Sequence, residues 1–577
     1  MKSPPLMLLP FCLVAVACTG EGTEPSPARA DLVLTNGRIV TLNPAKPEAS
    51  ALAARGGRII AIGTDAEILA LAGPTSRKID LLGQLAIPGF IEGHAHFSSI
   101  GQAAMNLRLA GAPTWDAVIE QVRQAVSKAR PGEWIFGRGW HQEKWRSTPE
   151  LAVEGFPLHD SLSAISPDNP VALGHASGHA LFVNAAAMRA AGIDASTPDP
   201  PGGEILRDAS GRPTGLLREE AENLIYGAHA NDMTLRPPEQ TEERERKALR
   251  LADREVLAKG ITTLHDAGSP YAEVERIAAM AEAGELGVRL NVMIRDSVEQ
   301  HRERLAAARR IGAARGKLTV RGIKVSLDGA LGSRGAWLLA PYSDSPASTG
   351  LATTPPETVR ELAQLALAHD YQLCVHAIGD RANRETLDIF EQAFATAPEK
   401  KDLRWRIEHA QHLDPADIPR FAELGVIAAM QGIHCTSDAP FVVARLGEER
   451  ARRGAYVWRQ LADSGATIVN GTDAPVEDVD PIASYYATVT RRGKDGSTFY
   501  PGESLSRMAA LATYTKNGAF AAFEENEKGT LAVGKLADVT VLTRDILTVP
   551  EPEILDARVA YTIVGGRVLW DINEATP

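Results

Sequence analysis

Five side chains able to bind a metal stand at the ends of short apolar runs: His94 and His96 in "FIEGHAH", His376 in "LCVHAIGD", His409 in "RIEHAQ" and Asp473 in "TIVNGTDAP". Imidazole nitrogen and carboxylate oxygen are the donors that suit a Zn-like divalent ion. His94 and His96 share parity on a strand, so both point to one side. Singly, each of the five has an ordinary reading as a hydrogen-bonded core histidine or a helix-capping aspartate. Four imidazoles and a carboxylate converging on one place ask for a metal. Lys324, in "RGIKVSLDGALGS", joins such a site only without its charge, and burial can remove a lysine's proton. In one reading it is an ammonium paired with Asp328. In the other, the neutral amine adds carbon dioxide and becomes a carbamate, an anionic oxygen ligand able to bridge two ions.

These residues need a frame that gathers positions 94 to 473 at one mouth. The middle of the chain alternates short apolar runs with amphipathic helical patterns such as "VRELAQLALAHD", the signature of βα units. Strands are expected to end "FIEGHAH", "ITTLHDAG", "VRLNVMIRD", "GIKVSLDG", "LCVHAIGD", "RIEHAQ", "VIAAMQG" and "TIVNGTDAP". Eight is the number that closes a parallel barrel, and the expected fold class is α/β, a (β/α)8 TIM barrel whose active face lies at the strands' C-terminal ends. Nearly every run carries a polar or ionisable residue at that end. Both termini have a different, β-rich texture with Asn-Gly and Gly-Gly turn signals, as in "LTNGRIVTL" and "YTIVGGRVLWD". They are expected to pair into a small β-sandwich, one half drawn from residues 32–84 and the other from 526–577. The barrel is assigned to 85–525, interrupted after its first strand by an insertion or lid over 98–255. That insertion holds Trp115, Trp134, Trp140 and Trp145, half of the eight tryptophans.

Composition narrows the class. A chain of 577 residues exceeds one ordinary domain, and 44% hydrophobic with 23% charged residues is ample for globular cores. The net charge of −12, with no basic block, argues against nucleic acid as a partner. "MKSPPLMLLPFCLVAVAC" has one lysine and an apolar run too short to span a membrane. It resembles a bacterial lipoprotein signal over 1–17, cleaved before a lipid-carrying Cys18, with a polar tether over 18–31. The expected location is therefore the cell envelope, facing the periplasm, with contact to the membrane only through that lipid. Ordinary secretory cleavage nearby is the alternative. Four cysteines, two of them in or at the signal, exclude a disulfide framework and leave Cys374 and Cys435 as the pair able to bridge.

"PGFIEGHAHF", "GIKVSLDGALGSRGAW", "VHAIGDRA", "RIEHAQ" and "NGTDAPV" together resemble the amidohydrolase superfamily of metal-dependent hydrolases, in the branch of N-substituted formamide deformylases and, more distantly, D-aminoacylases. The resemblance spans about residues 32–572. It implies that His94, His96 and Asp473 hold a first metal, that His376 and His409 hold a second, and that carboxylated Lys324 bridges the two, both ions being Zn2+. The implied reaction is hydrolysis of a non-peptide C–N bond, in an amide, N-formyl or N-acyl group, by an activated water, with Asp473 moving the proton. An ester, lactone, carbamate or cyclic amide would share the same tetrahedral intermediate. A binding lipoprotein on a barrel without chemistry is the non-enzymatic alternative.

Further residues are candidates for touching the small-molecule substrate. His175 and His179, in "ALGHASGHALFVN", match a pattern common in that branch. His265 ends the second strand, His434 follows the seventh, and Arg334 could meet an anionic group or the oxyanion. Trp140, if it faces the mouth rather than the insertion's core, would favour an apolar or aromatic substituent. Dimers are common among the proteins it resembles, so a homodimer is compatible with the resemblance, while the sequence itself does not fix the oligomeric state.

Overall fold

The computed structural model describes residues 29–574, except 110, 143–144, 148, 150, 176–179 and 202. Its centre is a nearly closed parallel barrel of eight strands in sequence order: β1 (Phe90–Ala95), β2 (Ile261–Ser269), β3 (Arg289–Ile294), β4 (Leu318–Ser326), β5 (Gln372–Ala377), β6 (Arg406–His409), β7 (Ile427–Gln431) and β8 (Ile468–Gly471). All eight runs expected from sequence form these strands. They are buried on both faces, as a sheet lined outside by helices requires; all six residues of β3 are buried. The outer helices follow their apolar spacing. Asp380–Thr396, for example, turns Ala382, Thr386, Leu387, Ile389, Phe390 and Ala393 inward.

Closure occurs where β1 meets the end of β8. The Asp473 N–H donates to the His94 carbonyl at 2.8 Å, and the His96 N–H donates to the Ala474 carbonyl at 2.8 Å. Two glycines permit this approach. A Cβ on Gly93 would lie 2.6 Å from the Asn470 carbonyl oxygen, and one on Gly471 would lie 2.5 Å from the His94 nitrogen. The strands can meet only where no side chain stands between them.

The termini build two further sheets. One orders Arg58–Gly63, Ala51–Arg55, Ala30–Thr35 and Ala72–Asp80; the other orders Arg567–Asp571, Val559–Val564, Val539–Leu542, Leu85–Pro88, Arg38–Val40 and Glu48–Ala49. Leu32, Leu34, Leu52, Ile39, Val539 and Ile563 share one core between them. The run Leu85–Pro88, assigned on sequence to the barrel, pairs with Val539–Leu542 instead, so the barrel begins at Phe90.

The expected insertion, 98–255, divides in the structure. A six-stranded sheet occupies Leu107 to Glu219, ordered Gly203–Arg207, Pro213–Glu219, Ala180–Val183, Val171–His175, Ile135–Trp140 and Leu107–Arg108. The helix Pro238–Ala258 belongs to the barrel, since Leu249, Ala252, Val256 and Leu257 pack into the main core. Cys374 and Cys435 are both buried and free, so no bridge joins them. Among the described residues no helix is long and apolar enough to cross a membrane.

Sandwich and barrel are joined by buried polar groups. Arg289, the first residue of β3, donates through Nε and Nη2 to both Asp538 oxygens at 2.8 and 3.0 Å, and the Gly565 N–H donates to Asp538 at 2.6 Å. Burial opposes the Asp538 charge, but Arg289 outweighs it and holds the pKa below the usual carboxylate value. A carboxyl lowered in the folded state adds stability above its unfolded pKa and loses it as pH falls through the folded one. Asp538→Ala leaves a buried guanidinium unmatched and is expected to cost about 3–5 kcal/mol, read as a lower urea midpoint at pH 7, with the gap to the parent narrowing in acid.

Candidate metal centre and active site

His94 lies near the end of β1 and His96 just beyond it, where the helix Phe97–Ala104 begins. Both imidazoles reach one carboxylate oxygen. His94 Nε2 is 3.4 Å and His96 Nε2 is 3.2 Å from Asp473 Oδ1. Two donors on one tetrahedral Zn-like ion, each bonded at ~2.0–2.1 Å, stand roughly 3.3 Å apart. His94 Nε2 is buried and has no hydrogen-bond partner within the chain. The three donors therefore fit a divalent cation, and the orphaned nitrogen is what an absent ligand bond would leave behind. Burial works against the Asp473 charge, yet the imidazoles of His94 and His96 beside it hold its pKa well below the ordinary value.

The orientation of each ring is set from behind. His94 Nδ1 meets Glu408 Oε2, and Glu408 in turn takes Arg406 Nε at 2.7 Å and Nη2 at 3.0 Å. The same guanidinium donates to the Gly93 carbonyl at 2.7 Å. Burial opposes the Glu408 charge, but Arg406 and His94 outweigh it and bring the carboxyl down to about 2. His409 Nδ1 lies 2.7 Å from Gln431 Oε1, and His376 Nδ1 lies 3.1 Å from Asp328 Oδ1. An oxygen facing Nδ1 places the ring proton there and leaves Nε2 as the free lone pair, the tautomer a metal ligand needs. Glu92 completes this buried layer. Its Oε1 accepts the Thr472 N–H at 2.6 Å, and burial pushes its carboxyl up to about 8.

The backbone carries strain at two of these positions. His409 has φ +75° and Asp473 has φ +58°, both left-handed and uncommon for residues with a side chain. Each side chain leaves the regular strand direction to reach the cluster. Strain of this kind gathers at functional sites.

The structure brings His94, His96, His376, His409, His434 and Asp473 to one end of the barrel. Donor atoms of His409, His434 and Asp473 lie within 4.8 Å of one another. His376 stands beside His409, ring centroids 4.5 Å apart. Lys324 is buried, its Nζ donating to the Ala267 carbonyl at 3.4 Å, and burial lowers its pKa. The ion pair with Asp328 is not formed; the Asp328 oxygens are filled by His376 Nδ1 and the amides of Trp337, Ile378 and Gly379.

Three substrate candidates are placed elsewhere. Trp140 is 0% exposed, its Nε1 donates to the Leu173 carbonyl at 2.8 Å, and its ring packs on Trp145, Phe182 and His175 in the insertion's core. A ligand cannot touch a ring that no solvent reaches. His265 is likewise fully buried, its Nδ1 3.0 Å from Arg406 Nη1. Burial, reinforced by Arg406, pushes its pKa well below the imidazole range. Arg334 is committed to Asp344 at 2.9 and 3.2 Å on the exposed loop after β4. His175 closes the strand Val171–His175 against Trp140 and His141, and His179 lies outside the described residues.

Glu92, Asp328, Glu408, Gln411 and Gln431 are site residues that the sequence alone did not single out for these roles. Parity was the available signal for two of them. Glu92 sits two residues before His94, and Glu408 alternates with Arg406 along β6, so charged residues repeat on the inward face of strands that bury everything.

The "Amidohydrolase family" model matches residues 77–570. The chain is 33% identical over 563 residues to Protein LONG AFTER FAR-RED 3 of Arabidopsis thaliana, covering 95% of this chain and 93% of that one. It is 28% identical over 557 residues to the N-substituted formamide deformylase of Arthrobacter pascens, covering 94% and 98%. Among solved structures it resembles an uncharacterized metal-dependent hydrolase from Pyrococcus furiosus, with TM-score 0.71, 26% identity, and coverage of 90% of this chain and 100% of that one. Barrel, terminal sheets and converging histidines agree with these likenesses: the chain belongs to the amidohydrolase family and is a metal-dependent hydrolase.

Proposed function

We propose that the protein hydrolyses the C–N bond of a small N-formyl or N-acyl amide, with Asp473 as the acid/base. The convergence of His94, His96 and Asp473 carries this reading, and the likeness to a formamide deformylase supports the bond type. Two Zn2+ ions would be held by His94, His96 and Asp473 on one side and by His376 and His409 on the other, bridged by carboxylated Lys324. Such ions supply Lewis acidity and an acidified water at neutral pH. Asp473 is ionised in its buried setting and can take a proton from the attacking water. It then gives that proton to the leaving nitrogen, without which an amide C–N bond breaks poorly.

Val476 supports an apolar group on the substrate, since Trp140 cannot. It is 67% exposed in the turn that follows the acid/base, its N–H bonded to the Asp473 carbonyl at 2.9 Å. The first eighteen residues support export and a lipid on Cys18, outside the described residues.

Three outcomes are expected. A panel of N-formyl amines, N-acyl amino acids, carbamates and lactones should be cleaved best at N-formyl or N-acyl amides, and Asp473→Asn should lower kcat by about 10²–10⁴-fold. Metal analysis of protein purified without chelator should find two ions per chain, with Lys324→Ala losing occupancy as well as activity. Labelled fatty acid supplied to an expressing bacterium should be incorporated by the parent and not by Cys18→Ser.

A further inference from the structure

Of the four imidazoles held from behind, His434 differs in what faces its Nδ1. It lies in the first turn of the helix Gly432–Leu446, which follows β7 directly. The ring is buried and stacks parallel to His409, centroids 6.2 Å apart and planes 7° apart. Its Nε2 points into the same opening, 3.9 Å from Asp473 Oδ2, with no hydrogen-bond partner in the chain.

His94, His376 and His409 each set Nδ1 against an oxygen, of Glu408, Asp328 and Gln431. The Gln431 amide is fixed in that sense because its nitrogen donates to the Ala429 carbonyl at 3.1 Å. His434 Nδ1 instead meets a nitrogen, Gln411 Nε2, at 3.1 Å. An amide N–H donates, so it needs a lone pair on Nδ1, and the neutral ring then carries its proton on Nε2. A protonated Nε2 has no lone pair for a metal. It is a hydrogen-bond donor, buried and unpaired, and Asp473 Oδ2 stands beyond hydrogen-bond reach.

We infer that His434 donates from Nε2 to the carbonyl oxygen of the substrate and holds the oxyanion as it forms, and that it is not a metal ligand. The inference rests on the hydrolytic reading of the site. When water attacks, the new O–C bond forms, the carbonyl π pair moves onto oxygen, and Asp473 takes the water's proton. When the intermediate collapses, the oxygen pair re-forms the carbonyl, the C–N bond breaks, and the nitrogen receives its proton from Asp473. His434 keeps its own proton throughout and contributes a preorganised dipole where charge develops.

The test measures metal content, kcat and KM of metal-loaded protein on the best amide of the panel, together with 15N NMR of histidine-labelled parent. His434→Phe removes the donor, and His434→Gln keeps an N–H. Gln411→Glu turns oxygen toward Nδ1 and moves the ring proton away from Nε2 while His434 stays. Expected are parental metal content in all three and a kcat lowered about 10²–10³-fold in His434→Phe and Gln411→Glu with KM changed less. His434→Gln should regain at least about tenfold of that. The NMR should show His434 protonated at Nε2 and bare at Nδ1. Loss of a metal equivalent in His434→Phe, an unchanged kcat, or a His434 proton on Nδ1 would overturn the assignment. A metal-loaded parent that cleaves no amide would instead sink the hydrolytic reading, and the NMR would still decide the tautomer.

Discussion

A charge sealed away from water has to be matched, and the candidate site is organised around one such match. Glu408 sits between Arg406 and His94 with both oxygens bonded, in a region of the barrel that solvent does not reach. Breaking a buried pair by removing one partner costs about 3–5 kcal/mol, so each group holds the others in place. Arg406 also holds the Gly93 carbonyl and lies against His265. One guanidinium thereby ties β6 to β1 and β2 and fixes the ring that meets Asp473. The orientation of His94 follows from this contact before any ion is considered.

The remaining rings obey the same logic with different partners. Carboxylate and amide oxygens from β6, β7 and the loop after β4 each choose a tautomer. The Nε2 ends of His94, His376 and His409 are thus left as lone pairs by residues that stand behind the rings. The left-handed backbones of His409 and Asp473 are tolerated because these contacts over-determine their side chains.

Much of this was legible in the sequence. The eight barrel strands stand out because a buried parallel strand is a short apolar run, and because His94, Lys324, His376, His409 and Asp473 interrupt those runs at their catalytic ends. The limits of the insertion were not legible. Helix Pro238–Ala258 has the same amphipathic pattern whether it packs on a barrel or on a lid, and only the core that Leu249 and Val256 enter reveals which. Trp140 kept two readings for a related reason, since an indole at the end of the strand Ile135–Trp140 looks the same in a core as in a pocket. The difference between His434 and its neighbours was out of reach, because it depends on which end of Gln411, far from it in the chain's local pattern, faces the ring.

The seam between β1 and the end of β8 has a consequence beyond closing the barrel. The N–H of Asp473 bonds to the carbonyl of His94, so the first and last residues of the candidate donor set are also the barrel's register mark. A slip of one residue would turn a side chain over to the other face and would set Thr472 or Ala474 opposite the histidines. The apolar packing around such a slip could survive; the donor set could not. The frame in which the two ends of the barrel meet and the geometry of the candidate donor set are therefore one constraint, written in a single backbone hydrogen bond.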